Sequence, residues 1–286
     1  MFNFFANIFG YVLNGIYFIV KNYGLAIIIF SFLVKLIMLP LSIKQQKTLK
    51  KNEKLQKEMQ ILQVKYKGNQ EKINQEMMEL YKREKINPFG GCFNLIIQMV
   101  LIISMFMLVK SPITYMIKEN NEIINNQINL IKQENGENSI SASYPEMSVI
   151  KYLKENNMTE NSMYINMNFF GLDLSKVPQE NYKDITVYII PVLYVISSIL
   201  SIKITTKTTN NKNEKNNEED KKEFDQAEMT QQMNKSMSLM MPILSVSIAL
   251  VAPLGLALYW LVNNIIMIIE RIILNKLVSK EENLDA

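Results

Sequence analysis

Five apolar stretches, separated by polar or charged segments, dominate the hydrophobicity pattern of this chain. A helix needs about 20 mostly apolar residues to cross a bilayer. The pattern therefore predicts an all-α membrane protein with five transmembrane helices. We assign them to residues 23–43, 89–110, 184–204, 238–252 and 253–275. The last two meet at Ala252 and Pro253, because proline interrupts a helix.

Residues 1–22 have a different pattern. Phe5 and Phe9 belong to an apolar helical stripe, and Asn3 and Asn7 lie on the opposite side. Such a pattern is typical of an amphipathic helix on the membrane surface, so we expect an interfacial helix here. A sixth span is the alternative. A secretory signal peptide is less favoured, because no Lys or Arg precedes the apolar stretch.

Residues 44–88 have apolar residues at heptad-like spacing on either side of Gly68-Asn69. This spacing predicts two antiparallel helices joined by a tight turn. Each would have a narrow apolar seam and a broad charged face, so the hairpin should project from the membrane and pack only against itself or against a partner. A solvated connector is the alternative. The seam residues are Leu55, Met59, Leu62, Tyr66, Ile73, Met77 and Leu80.

Charge is distributed unevenly between the segments that join the spans. Residues 44–85 contain 12 Lys or Arg and 6 Asp or Glu, whereas residues 111–183 contain 6 and 9. By the positive-inside rule the hairpin is cytoplasmic, which puts the amino terminus outside and the carboxyl terminus in the cytoplasm. The remaining assignments follow by alternation: an external loop at 111–183, a flexible cytoplasmic loop at 205–237 and a cytoplasmic tail at 276–286.

The composition argues against an enzyme. The chain has no histidine and one cysteine, Cys92, which excludes an internal disulfide, Ser-His or Cys-His catalysis and the usual zinc sites. We therefore predict no catalytic residue, no metal and no cofactor.

Lys35 lies near the middle of the first predicted span. A cation at the centre of a membrane helix costs about 2.5–3.5 kcal/mol on insertion scales, so such residues usually face water, a partner charge or a transport path. Ser31 lies one helical turn before it. Lys35 is therefore a candidate functional residue, unless it snorkels to a headgroup or pairs with a carboxylate such as Glu270.

Other spans also have a polar side. Gln98 lies one turn after Asn94 in the second span, and Trp260 shares a stripe of the last span with Asn263 or Asn264. Hydrogen bonding between helices of a compact bundle is the alternative explanation, and for Gln98 alone it is the better one.

Several segments, in this order and spacing, resemble the YidC-type membrane protein insertases, in the short form that lacks a large extracytoplasmic domain. The resemblance covers most of the chain. It rests on Tyr23-Gly24-Leu25-Ala26-Ile27-Ile28 leading to Lys35, Leu39-Pro40-Leu41, the basic hairpin, Asn87-Pro88, Gly91-Cys92-Phe93, Ile97-Gln98-Met99, Met241-Pro242, and Pro253-Leu254-Gly255-Leu256-Ala257-Leu258-Tyr259-Trp260.

The resemblance implies five helices around a hydrophilic groove that is open to the cytoplasm and to lipid. Lys35 takes the position of the groove cation, where most members have arginine. Ser31, Gln98 and Trp260 match other groove positions. Asn263 and Asn264 are added to the candidate groove from helical spacing alone.

The implied function is insertion and folding of membrane proteins in the bacterial cytoplasmic membrane. The expected partners are nascent membrane proteins with acidic translocated segments and the lipid bilayer. The tail is short and mildly acidic, so the Sec translocon or the ribosome, as further candidate partners, would contact the basic hairpin at Lys50, Lys51, Lys54 and Lys57. Two alternatives are a small transporter or channel that uses Lys35 as its ion or substrate site, and a scaffold that binds partners only through the hairpin.

Overall fold

The computed structural model describes residues 1–66, 68–83, 90–210 and 247–284. These residues are mostly helical. The elements, in chain order, are α1 (Phe2–Val20), α2 (Tyr23–Lys65), α3 (Gln70–Arg83), α4 (Gly90–Lys110), a π-helical turn (Ile113–Ile117), α5 (Asn121–Asn135), a 3-10 turn (Glu137–Ser139), α6 (Pro145–Glu155), β1 (Asn168–Phe169), β2 (Leu172–Asp173), a 3-10 turn (Ile185–Tyr188), α7 (Ile189–Asn210) and α8 (Leu254–Leu284).

The first two helices pack side by side in antiparallel directions. Lys21 adopts a left-handed conformation (φ 52°) that ends α1, and the Asn22 side chain accepts a hydrogen bond from the Leu25 amide (3.0 Å) that begins α2. The rings of Phe9 and Phe30 then meet edge to face, with centroids 5.6 Å apart. The short connection therefore holds α1 along the first half of α2.

Helix α2 is one continuous element of 43 residues and contains Pro40. At 1.5 Å per residue it is about 65 Å long, roughly twice the hydrocarbon thickness of a bilayer. The sequence analysis divided this region into a span and a separate first arm of the hairpin. They are one helix because residues 41–65 are rich in strong helix formers and contain no glycine.

The second half of α2 and all of α3 form the antiparallel hairpin. Gly68 in the connecting turn has φ +86°, a conformation that glycine adopts without strain. Arg83 near the end of α3 forms an ion pair with Glu58 on α2 (2.5 Å). The buried seam residues include Leu55, Ile73 and Leu80. The apolar seam thus packs against itself.

Four described helical segments are long and apolar enough to cross a membrane, and α4 adds a shorter apolar stretch at Met99–Lys110. Because α1 is one of the four, its length and composition also allow the sixth-span alternative. Most of the predicted span at 238–252 lies outside the described residues, although residues 247–251 are helical. The four segments are Phe2–Val20, Tyr23–Thr48, Ile185–Ile204 and Leu254–Leu274.

Residues 111–184, which we call the cap, fold into a small unit whose buried side chains continue the hydrophobic core of the membrane helices. Helices α5 and α6 and the β1–β2 hairpin surround side chains with almost no exposed surface. These include Ile131, Ile150, Leu153, Ile165 and Leu174. The sequence predicted an external loop here, but its pattern gave no sign of this packing.

The cap is attached to the ends of two membrane helices. The Tyr23 amide at the start of α2 donates a hydrogen bond to the Asn166 carbonyl (3.1 Å). The Leu254 amide at the start of α8 donates to the Lys176 carbonyl (2.9 Å). The start of α2, the start of α8 and the cap therefore lie together at one end of the helices.

A buried carboxylate also fixes α6 to the π-helical turn that follows α4. Glu146 on α6 accepts hydrogen bonds from the amides of Ile113 (2.7 Å) and Thr114 (3.1 Å) and from the Thr114 hydroxyl (2.6 Å). Burial raises the pKa of Glu146, and these hydrogen bonds act in the opposite direction. Glu146 therefore holds two parts of the cap together, next to the end of α4.

Candidate functional site

Lys35 on α2 forms an ion pair with Glu270 on α8. The Lys35 Nζ lies 3.5 Å from Glu270 Oε2, and the two side chains are 25% and 13% exposed. The sequence analysis named this pair as the alternative to a free groove cation, and the structure contains it. The cation is thus neutralised in place by a carboxylate from the last membrane helix.

Two buried oxygens near this pair are unsatisfied. Among the described residues, neither Ser31 Oγ nor Glu270 Oε1 has a hydrogen-bond partner. Ser31 is fully buried and lies one turn before Lys35, so it shares a face of α2 with the cation. Unpaired buried polar groups are costly and rare, and several at one place are typical of a site that receives water or a ligand.

Trp260 lies two to three turns before Glu270 on α8 and is half-buried. Its ring is tilted by 39° against that of Tyr194 on α7, with centroids 6.2 Å apart. This aromatic contact packs α8 against α7.

The two neighbouring asparagines of α8 have different environments. Asn263 donates a hydrogen bond to the Tyr259 carbonyl of its own helix (2.9 Å). Asn264 is 8% exposed and donates to the hydroxyls of Ser197 (3.0 Å) and Ser198 (3.1 Å) on α7. The amide of Asn264 therefore joins two helices, as polar residues in membrane bundles often do.

An apolar cleft of about 430 Å³ separates α2 from α8. None of the predicted groove residues lines it. Its walls are formed by Ile28, Ile29, Phe32, Val262, Ile265 and Ile266. The cleft and the Lys35–Glu270 pair are thus separate features of one helix–helix interface.

Five further predicted residues lie on described helices but outside the residues whose side chains the structure describes. They are Gln98 on α4 and the hairpin lysines Lys50, Lys51, Lys54 and Lys57 on α2.

Comparison with known proteins gives the family. Residues 15–282 match the sequence model of the 60Kd inner membrane protein family. The chain belongs to this family. With its helices of membrane-spanning length, it is a multi-pass membrane protein.

Curated relatives match a shorter stretch of the chain. A protein of Buchnera aphidicola subsp. Baizongia pistaciae is 42% identical over 102 residues, which are 36% of this chain and 19% of that protein. A protein of Francisella tularensis subsp. novicida is 42% identical over 106 residues, which are 37% of this chain and 19% of that protein. Both are named "Membrane protein insertase YidC". The aligned stretch spans about a fifth of the length of these relatives.

Two polar features of the site, Glu270 and the pair Ser197 and Ser198, were not predicted as site residues from the sequence. Glu270 was considered only as an alternative partner for Lys35, although it is the one carboxylate in the apolar stretch of α8. Ser197 and Ser198 were not considered, and their signal is a pair of hydroxyl residues inside an apolar helix. In both cases the polar residue is visible in its own apolar helix, but its partner lies on a helix that is far away in the sequence.

Proposed function

We propose that this chain is a membrane protein insertase and chaperone that acts without nucleotide or other cofactor in the bacterial cytoplasmic membrane. Family membership and the names of the relatives support insertion over the transporter alternative. The observation that carries the proposal is the polar site around Lys35, inside a helix that is long and apolar enough to span the bilayer.

The mechanism follows from the cost of placing polar groups in lipid. A substrate segment that must cross the membrane loses its water, and charged residues in it lose the most. Lys35 and the Ser31 hydroxyl, which has no partner among the described residues, offer such a segment a cation and a hydrogen-bond donor within the membrane helices. The substrate's apolar helix then gains free energy as it moves into lipid, at about 25 cal/mol per Å² buried.

The groove, its lining residues and the orientation of the chain in the membrane are proposed from the sequence pattern. The groove is built from five membrane helices and includes Lys35, Ser31, Gln98, Trp260 and Asn263. Asn264 contributes by holding α7 against α8. The amino terminus lies outside and the carboxyl terminus in the cytoplasm. This orientation agrees with the position of the cap at the start of α2, opposite the basic hairpin at the end of that helix.

The partners are nascent membrane proteins with acidic translocated segments, and the bilayer itself. The hairpin of α2 and α3 projects beyond the membrane, which makes its lysines available to the Sec translocon or to ribosomal RNA phosphates.

Reconstitution tests the function. The purified chain is placed in lipid vesicles, a small membrane protein with an acidic translocated segment is synthesised beside them, and the fragment protected from added protease is measured. We expect protection well above that of empty vesicles. Ion leakage through the same vesicles without protected substrate would instead support a transporter or channel.

A further inference from the structure

Glu270 occupies the position that an acidic substrate segment would have to take. Among the described residues it is the carboxylate that pairs with Lys35, and the insertase function proposed above relies on Lys35 attracting carboxylates. We propose that Glu270 is a displaceable counter-ion, and that its competition with the substrate sets how acidic a translocated segment must be. This proposal rests on the proposed function and adds a specificity-determining residue to it.

The geometry of the pair is that of a loose contact. Its 3.5 Å separation exceeds the roughly 2.7–2.9 Å of a charge-assisted hydrogen bond. Two ion pairs in the cap are much closer, Lys154–Asp173 at 2.8 Å and Lys176–Asp184 at 2.6 Å. The cap pairs hold a folded unit together by short hydrogen bonds, whereas the membrane pair is held by a longer and weaker contact.

The hydrogen bonding of Glu270 supports the same interpretation. Its Oε1 is buried and has no hydrogen-bond partner among the described residues, so the carboxylate is incompletely stabilised where it lies. Carboxylates that serve only structure are usually surrounded by donors, as Glu146 is in the cap. Moving Glu270 therefore breaks fewer hydrogen bonds, and costs less free energy, than moving a carboxylate whose two oxygens are both hydrogen-bonded.

Exchange of one carboxylate for another also solves a problem of release. A lone cation inside the membrane would bind an acidic segment strongly and hold it, because a buried unpaired charge is very costly. With Glu270 beside it, Lys35 is paired before the substrate arrives and after it leaves. The net free energy gained when the substrate binds is then small, so the segment can pass on and is not held at Lys35.

Ser31 is placed to assist the exchange. Its hydroxyl lies on the Lys35 face of α2 and has no partner among the described residues. It can donate to the incoming carboxylate, a bond that Glu270 does not make.

The test uses Glu270→Gln, which keeps the size of the side chain and removes its charge. Its insertion activity is measured in reconstituted vesicles with a series of substrates that differ only in having none, one, two or four carboxylates in the translocated segment. We expect insertion of the one-carboxylate substrate to rise by about three- to tenfold, and insertion of the four-carboxylate substrate to change little. The threshold number of carboxylates should fall. Glu160→Gln, which removes an exposed carboxylate of the cap, is the matched control and should leave the series unchanged.

A second variant covers the case in which Glu270→Gln folds poorly. Glu270→Asp keeps the charge but shortens the side chain by one methylene, which weakens the pair, so its threshold should lie between those of wild type and Glu270→Gln. Equal loss of insertion across the whole series in both variants would overturn the proposal and make the pair purely structural. If wild type inserts no substrate of the series, the insertase function itself fails. If wild type inserts them but the threshold does not move, only the counter-ion proposal fails.

Discussion

Asn264 of α8 donates its side-chain amide to the hydroxyl of Ser197 on α7 at 3.0 Å. The neighbouring Asn263 donates instead to a carbonyl of its own helix. Two adjacent asparagines therefore form different hydrogen bonds: Asn264 bonds to a neighbouring helix, and Asn263 bonds within its own helix.

Replacement of these asparagines should separate the two roles. We expect Asn264→Ala to lower the free energy of unfolding by about 1 kcal/mol, because an interhelical hydrogen bond is lost and Ser197 and Ser198 lose a donor. Asn263→Ala should change stability little, since alanine is the better helix former. Thermal unfolding in detergent measures both, and equal effects of the two changes would contradict the assigned contacts.

A close approach between α1 and the turn after α4 gives a second prediction. A β-carbon on Gly10 would lie 1.9 Å from the Tyr115 carbonyl oxygen, whereas one on Gly15 of the same helix would meet nothing within 4 Å. Gly10→Ala should therefore displace α1 and lower stability by about 1–3 kcal/mol. Gly15→Ala, the matched control, should be neutral or stabilising by up to about 1 kcal/mol. Unfolding midpoints of the two variants decide the matter, and a Gly10→Ala protein as stable as wild type would exclude this packing.

The ion pair between Lys176 and Asp184 predicts a response to acid. The hydrogen bond from Lys176 and those from Thr186 lower the pKa of Asp184 to about 2. Because the pKa is lower in the folded state, this stabilisation is present above the ordinary value of 3.8 and is lost as the pH falls towards 2. The unfolding midpoint of wild type should drop across this window. Asp184→Asn should be less stable at neutral pH and should flatten the profile between pH 4 and 2, and an unchanged slope would argue against the pair.

The orientation of the chain can be read from engineered cysteines. In a Cys92→Ser background, a cysteine at the exposed cap residue Met158 should react with a membrane-impermeant maleimide on intact cells. A cysteine at the exposed hairpin residue Val64 should react only after permeabilisation. Labelling in the reverse order would put the amino terminus in the cytoplasm.

The apolar helices around residues 23–43, 184–204 and 253–275 could be predicted from the sequence because apolar length and helical period are local properties. Lys35 stood out for the same reason, as one charge in a long apolar run. The continuity of α2 through Lys65 was missed, because the change from apolar to charged residues resembled a boundary between two elements.

The cap and the polar contacts depend on residues that are far apart in the chain. Asn166 donates its amide to the Tyr17 hydroxyl at 2.8 Å, across 149 residues. Asn264 and Ser197 are 67 residues apart. A helical stripe predicts that Asn264 has a polar environment, but the register between α7 and α8 decides whether that environment is a groove or another helix. Only the packed structure contains that register.

In the proposed mechanism, the cation at position 35 attracts acidic substrate segments inside the membrane. The most direct test is insertion of a substrate with an acidic translocated segment in insertase-depleted cells that carry wild type, Lys35→Arg, Lys35→Ala or Lys35→Glu at equal protein levels. We expect wild type and Lys35→Arg to support insertion, Lys35→Ala to weaken it and Lys35→Glu to abolish it, because a carboxylate there would repel both the substrate and Glu270. Full activity of Lys35→Glu would contradict the electrostatic account.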